Sequence, residues 1–181
     1  MCIRDRARWS ALFAPLLCEI HPSCLCPWFI PFAAQYVIKG AAQNRDRSNL
    51  VPELSVRDLA ASLAFWCGPC GFAVVYDRPE QGFACIQRGT ARVMLDQLGT
   101  DRDWVTAPLE PPLGRGINLE ITVEDIAPVL AALASAAWPL FLRPETKTYR
   151  VGEGSVTVRQ FLVQDPDGYL LRFSERVGHG A

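Results

Sequence analysis

The stretch Glu53-Leu54-Ser55-Val56 alternates polar and apolar residues, the period of a strand with one buried face. Directly after it Leu59, Leu63 and Trp66 recur at helical spacing, and Gly68 stops that stripe. Ser55 and Asp58 match the Ser/Thr-x-x-Asp/Glu spacing of a helix start. Residues 72–77, 83–87 and 91–97 then read as three further strands, with Gly82 and Gly89-Thr90 at the turns between them. The predicted order is βαβββ.

The same order returns further along the chain. Residues 118–123 alternate, Thr122 and Asp125 repeat the helix-start spacing, and Ile126, Val129, Leu130 and Leu133 form a second helical stripe. Pro128 fits there because the first turn of a helix needs no intrahelical N–H. Strands are predicted at 140–143, 156–164 and 169–174, with Asp165-Pro166-Asp167-Gly168 as a turn. Val56 and Val123, like Asp58 and Asp125, are 67 residues apart, an offset that points to internal duplication. The expected organisation is α+β, with modules at about 50–98 and 116–177 joined by a Pro-rich linker at about 99–115, inside a domain of residues 49–178.

Each helix must cover the apolar side of its own strands, where Leu54 and Val56, or Leu119, Ile121 and Val123, share a face. By alternation the opposite, inner face carries Glu53 and Ser55, then Arg92, Met94 and Asp96 from the first module. From the second it carries Asn118, Glu120, Thr122, Leu170, Arg172 and Ser174. This wall is polar and holds the three carboxylates Glu53, Asp96 and Glu120.

Eighteen basic and nineteen acidic side chains leave a formal charge of −1, without the electrostatic footprint of a nucleic-acid or anionic-membrane binder. A neutral or cationic partner fits better. Residues 1–48 differ from the rest: Arg4, Arg6 and Arg8 open an apolar run broken by Pro15, Pro22, Pro27 and Pro31, with no helix or strand period. Those prolines, with Glu19 and His21, rule out a membrane span. The basic start and apolar residues 9–17 imitate a signal peptide, but no small-x-small site closes the run. These residues are read as a dispensable leader outside the native fold.

Of seven cysteines, Cys2, Cys18, Cys24 and Cys26 lie in that leader, and Cys67, Cys70 and Cys85 remain in the domain, an odd set that suits a reduced cytoplasmic protein. The cluster Cys18, His21, Cys24, Cys26 fits no usual zinc spacing. Trp66-Cys67-Gly68-Pro69-Cys70 matches the redox motif of thioredoxin letter for letter, yet here the helix ends at the motif instead of beginning there. A thiol at a helix C-terminus meets the negative end of the dipole, which raises its pKa and blunts its reactivity. A structural helix-to-strand turn is expected.

Duplicated βαβββ modules ending in residues 161–173, Phe-Leu-Val-Gln-Asp-Pro-Asp-Gly-Tyr-Leu-Leu-Arg-Phe, resemble the vicinal-oxygen-chelate superfamily of glyoxalases, extradiol dioxygenases and bleomycin-resistance proteins. Residues 51–58, the Phe65-Trp66 pair before Gly71-Phe72, and residues 76–80 followed by Gly82-Phe83-Ala84 look most like the bleomycin-resistance branch. The resemblance implies a cup-shaped, partly open eight-stranded sheet and a homodimer with clefts shared between subunits. Metal-binding members place ligands at positions that fall here on Val51, about Met94, Asn118 and Arg172, none of which is a His, a carboxylate or a thiolate. His21 and His179 lie outside the core, so no metal and no other cofactor is expected.

Without a metal, catalysis has only Glu53, Asp96 and Glu120 beside Arg92 and Arg172 to draw on, and no catalytic residue is assigned. An acidic concavity instead attracts a cation, and the resemblance implies sequestration of a cationic, flat-ringed glycopeptide antibiotic. The expected ligand-binding residues are Tyr76, Phe83 and Trp104 for stacking, with Glu53, Asp96, Glu120 and Arg172 as the polar wall. Thr157-Val158 replaces a Trp-Gly pair that some drug-binding relatives carry. A glyoxalase-type lyase or isomerase and a thiol-disulfide oxidoreductase are the alternatives.

Overall fold

The computed structural model describes residues 50–100 and 104–180, all within the compact unit Gly40–Ala181. The leader, its cysteine cluster and its signal-like run lie outside the described residues. The chain runs β1 Glu53–Val56, α1 Leu59–Cys67, β2 Ala73–Arg78, β3 Phe83–Arg88, β4 Ala91–Gln97, then β5 Asn118–Thr122, α2 Ala127–Ser135, β6 Leu140–Val151, β7 Gly154–Gln164 and β8 Leu170–Gly180. Two four-stranded sheets result, ordered β1-β4-β3-β2 and β5-β8-β7-β6. In each, the first strand pairs in parallel with the last, and the remaining pairs are antiparallel. Among the described residues no helix is long and apolar enough to cross a membrane.

The helix starts are set by side chains that the local spacing only partly reveals. Asp58, not Ser55, caps α1, its Oδ1 accepting from Ala61 N at 3.1 Å. At α2, Asp125 Oδ1 accepts from Ala127 N at 2.8 Å, and the buried Glu175 of β8 accepts from Ile126 N at 2.6 Å. Gly68 closes α1 through its N–H to Ala64 O at 3.1 Å, and a Cβ there would collide with that same oxygen. β6 and β8 run well beyond the predicted 140–143 and 169–174, while β7 matches 156–164 to within two residues. Much of the extension of β6 past Arg143 is exposed on both faces, so it carries no apolar alternation to detect.

Helix-side residues of both sheets meet in one core. Leu54, Val56 and Leu95 join Phe65 and Trp66 of α1, and Ile121, Phe161 and Phe173 join Val129 and Leu133 of α2, within a single buried cluster. Rings cross between the halves: Phe65 lies 4.7 Å from Trp138, and the Arg88 guanidinium lies 5.7 Å from the Phe173 ring centroid.

The turn between β7 and β8 ties the halves together by polar bonds. Buried Asp167 accepts from Arg57 Nε at 2.7 Å and from Ser62 Oγ at 3.3 Å, both from the first half. Buried Asp165 accepts from Trp66 Nε1 at 3.2 Å and, within its own turn, from Asp167 N at 3.0 Å and Tyr169 N at 2.8 Å. Tyr169 then donates its hydroxyl to Ser55 O at 3.0 Å. Gly168 takes φ 97° where the chain passes Pro112, and a Cβ there would collide with that ring.

Asp165→Ala leaves three N–H donors without acceptors and should destabilise the fold by about 2–4 kcal/mol in urea titrations. Burial, partly offset by those donors, raises the Asp165 pKa. The native state therefore holds its proton more tightly than the unfolded chain, and this contribution to stability is lost as pH rises from the ordinary carboxylate range through the raised pKa. Asp165→Asn keeps an oxygen for two of the donors, so it should cost less than the alanine variant and lack that pH-dependent fall.

Candidate functional site

Strand register decides which side chains share the inner face of the first sheet. Glu53 lies opposite Met94 and Ser55 opposite Asp96 on β4, Asp96 is opposite Phe83 on β3, and Cys85 is opposite both Met94 and Tyr76. Four of the predicted residues, Glu53, Tyr76, Phe83 and Asp96, are thereby brought to one wall. Tyr76 and Phe83 stack with centroids 5.9 Å apart and planes 28° apart. Arg78, opposite Phe83, lays its guanidinium 3.7 Å from the ring centroid and donates through Nε to Gln81 Oε1 at 2.6 Å. Phe83 is consequently only 5% exposed, whereas Tyr76 is 42% exposed, so Tyr76 is the ring this wall offers. Burial, and Cys85 beside it, raise the Tyr76 phenol pKa.

The second sheet has its own wall. Glu120 lies opposite Arg172 and Thr122 opposite Ser174 across the parallel β5–β8 pair. The Glu120 carboxylate is bound by the Arg172 guanidinium and accepts from Ser174 Oγ at 2.8 Å. One strand further, Gln160 faces both Ser174 and Glu145, and its Nε2 donates to Glu145 Oε1 at 2.9 Å and to Tyr149 Oη at 2.8 Å. A cavity of about 350 Å³ opens over this face, lined by Glu120, Tyr149, Val156, Val158, Arg172 and Arg176. The seventh predicted residue, Trp104, stands in the segment joining the sheets and is 72% exposed.

The wall contains residues that the sequence reading did not single out. Arg78 covers Phe83, Tyr149 sits on the unforeseen part of β6, and Gln160 is bonded to that tyrosine. Gln160 had a signal, being a polar residue at an inner-face position among Val158, Phe161, Leu162 and Val163. Arg78 had none beyond its parity with Tyr76.

The donor set does not suit the metal ions of the resemblance. Val51 offers an aliphatic group, Met94 a thioether and Asn118 an amide. Arg172 brings a positive charge, already engaged with the nearest carboxylate, Glu120. Among the described residues no group of three or more His, Cys, Asp or Glu side chains stands together.

The cysteine motif is built as the turn that carries α1 into β2. Cys70 N bonds Phe65 O at 3.3 Å, Phe72 N bonds Trp66 O at 2.9 Å, and the Arg88 guanidinium holds Cys70 O. Trp66 is spent on the core and on Asp165. Burial raises the Cys67 pKa and pushes Cys70 up to about 12, with Arg88 only partly opposing it.

The Glyoxalase/Bleomycin resistance protein/Dioxygenase superfamily model matches residues 50–173. A bleomycin resistance protein of Geobacillus stearothermophilus is 26% identical over 135 residues, which cover 70% of this chain and 96% of that protein. TioX from Micromonospora sp. ML1 aligns with a TM-score of 0.55 at 21% identity, over 72% of this chain and 99% of that one. A virulence protein from Salmonella typhimurium aligns with a TM-score of 0.55 at 20% identity, over 70% and 94%. These two likenesses show the fold.

Alkylation of the native chain with iodoacetamide at pH 7.5, mapped by mass spectrometry, should leave Cys70 and Cys85 unmodified and label Cys67 slowly, because only a thiolate reacts. Unfolding in urea should bring all three to full labelling. Rapid labelling of Cys70 in the folded chain would restore a redox role for the motif.

Proposed function

We propose that this chain, which belongs to the glyoxalase/bleomycin resistance protein/dioxygenase superfamily, is a non-catalytic cytoplasmic protein that sequesters a cationic, flat-ringed antibiotic of the bleomycin type. The observation that carries this reading is the inner face of the first sheet. It sets an accessible ring, Tyr76, on a wall that also holds the carboxylates Glu53 and Asp96. Flat cationic ligands are bound by that combination: stacking supplies contact area, and fixed negative charge raises their local concentration. The relatives named as bleomycin resistance proteins support the choice of drug class.

The polar groups of the second wall support binding over turnover. Ser174 donates to one oxygen of the Glu120 carboxylate and Arg172 holds the other, so both oxygens are engaged within the wall. The same pairing cancels the charge of Glu120, and attraction for a cation rests chiefly on Glu53. We place the complete cleft between two copies of the chain. The second wall carries Arg176 and Lys147 across Val158, cations that can face Glu53 on the first wall of another copy. The outer strands β1, β2, β5 and β6 are left for association to cover.

Calorimetric titration with metal-free and copper-loaded bleomycin tests the reading. Glu53→Gln should weaken binding and flatten its salt dependence, whereas Glu120→Gln should do so less because that charge is already paired. Tyr76→Ala should cost about 0.5–1.5 kcal/mol beyond the lost contact area, with the salt dependence unchanged. Sedimentation should give a dimer at micromolar concentration. No bleomycin binding by the wild type, or turnover of a glyoxalase substrate by the purified chain, would overturn the proposal.

A further inference from the structure

Among the described residues, two buried side-chain polar atoms have no hydrogen-bond partner, and both belong to the wall of the second sheet: Gln160 Oε1 and Arg172 Nε. They are diagonal neighbours across the β7–β8 pair, since Gln160 lies opposite Ser174 while Arg172, two residues earlier on β8, lies opposite Leu162. We infer that this pair is a receptor for an amide of the ligand, Gln160 Oε1 accepting its N–H and Arg172 Nε donating to its C=O.

The orientation of each group is fixed by what its other atoms do. Glu145 accepts only, so the nitrogen of the Gln160 side chain must face it, and that same nitrogen also meets Tyr149 Oη. The oxygen is left over by construction. Gln160 is 4% exposed, so water in the bulk does not serve that oxygen. Arg172 is turned so that its Nη2 meets Glu120, which leaves Nε pointing elsewhere. One atom of the pair is an acceptor and the other a donor, and an unmatched buried polar group in a native protein calls for a water, an ion or a ligand to meet it.

The sense of the pair selects the ligand chemistry. A carboxylate would satisfy Arg172 but set oxygen against Gln160 Oε1. An ammonium would satisfy Gln160 but meet the charge of Arg172. A ketone or ether serves Arg172 alone. A primary carboxamide or a peptide unit, with N–H and C=O side by side, serves both through separate atoms, where a hydroxyl must do so through a single oxygen. Access runs past Tyr149, which is opposite Val156 and must lean across Val158 for its hydroxyl to reach Gln160. Its ring is 39% exposed and lines the cavity, so turning it aside opens the pair to a ligand.

This assignment deepens the proposed drug-binding reading and rests on it for the class of ligand, a peptide-type antibiotic. It is tested with ¹⁵N-labelled full chain titrated with benzamide, benzoate and acetophenone, followed at the Gln160 side-chain amide and the Arg172 Nε–H. Benzamide should shift both resonances saturably and bind about tenfold or more tightly than the other two. Arg172→Lys, which keeps a cation for Glu120 but has no Nε, and Gln160→Met should each abolish that preference. A thermal melt of each variant reports whether it folds, and Arg172→Lys decides the matter if Gln160→Met does not. Benzamide binding no better than acetophenone, or equal benzamide binding by wild type and folded Arg172→Lys, would overturn the amide site. Bleomycin titrations separate the two proposals. If wild type and both folded variants bind bleomycin equally, the amide site fails and the drug-binding reading stands. If benzamide shows the expected preference and bleomycin does not bind, the site stands and the drug class fails.

Discussion

Two buried carboxylates in one turn hold this fold together. Asp165 and Asp167 precede β8, yet they bond to Trp66, Ser62 and Arg57 of the first half, residues 99 to 110 positions earlier in the chain. Each half alone is a four-stranded sheet with one short helix of nine residues, too little to bury its own apolar side. Joining the halves lets Phe65, Trp138, Phe161 and Phe173 share one core. Burying two acids so close together is unfavourable in itself, and the raised pKa of Asp165 records that cost. It is offset only where every acceptor position meets a donor, which makes the junction selective for one arrangement of the halves.

Little of that junction was legible in the sequence, and the reason is physical. Asp-Pro-Asp-Gly announces a turn through the dihedral preferences of its residues, but hydrogen-bond partners about a hundred residues away leave no local period. Glu175 is a similar case: it caps α2 from β8, 49 residues downstream, where the Thr122–Asp125 spacing promised a cap from within. What the alternation did reveal was parity. Leu54, Val56 and Ile121 are buried on the helix side as expected, with Leu119 and Val123 partly buried against the same core, while Glu53, Asp96, Glu120 and Arg172 fall on the inner faces. The length of β6 was lost because strand structure there rests on hydrogen bonds to β7, with much of it exposed on both faces.

The same distinction explains what the sequence could say of the candidate site. Which residues share a face follows from a period of two, and Tyr76 beside Phe83 or Glu120 beside Arg172 needed nothing more than correct strand pairing. How those residues treat one another does not follow. The three carboxylates looked equivalent in sequence, but register sets Glu120 directly against a guanidinium and Glu53 against a thioether. Likewise Phe83 looked as available as Tyr76, until Arg78 was found lying on its ring. Trp104 sits where no periodicity governs, and its ring is exposed.

Junction and walls are mechanically one object. β8 leaves the Asp165 turn and within a few residues presents Arg172 and Ser174, while β1 delivers Glu53 and Ser55 just before Arg57 engages Asp167. Tyr169, the residue between turn and β8, bonds the β1 backbone at Ser55 itself. Any shift of the turn relative to β1 therefore moves one wall against the other. Preorganisation of an inner face for a ligand is worth most when its side chains need not be reordered on binding. The buried, fully bonded turn stands beside both strands at once, so both inner faces are held from the same support. Loosened at Asp165, the halves would keep their strands and parity but lose the fixed spacing between the face that carries Tyr76 with Glu53 and the face that carries Glu120 with Arg172.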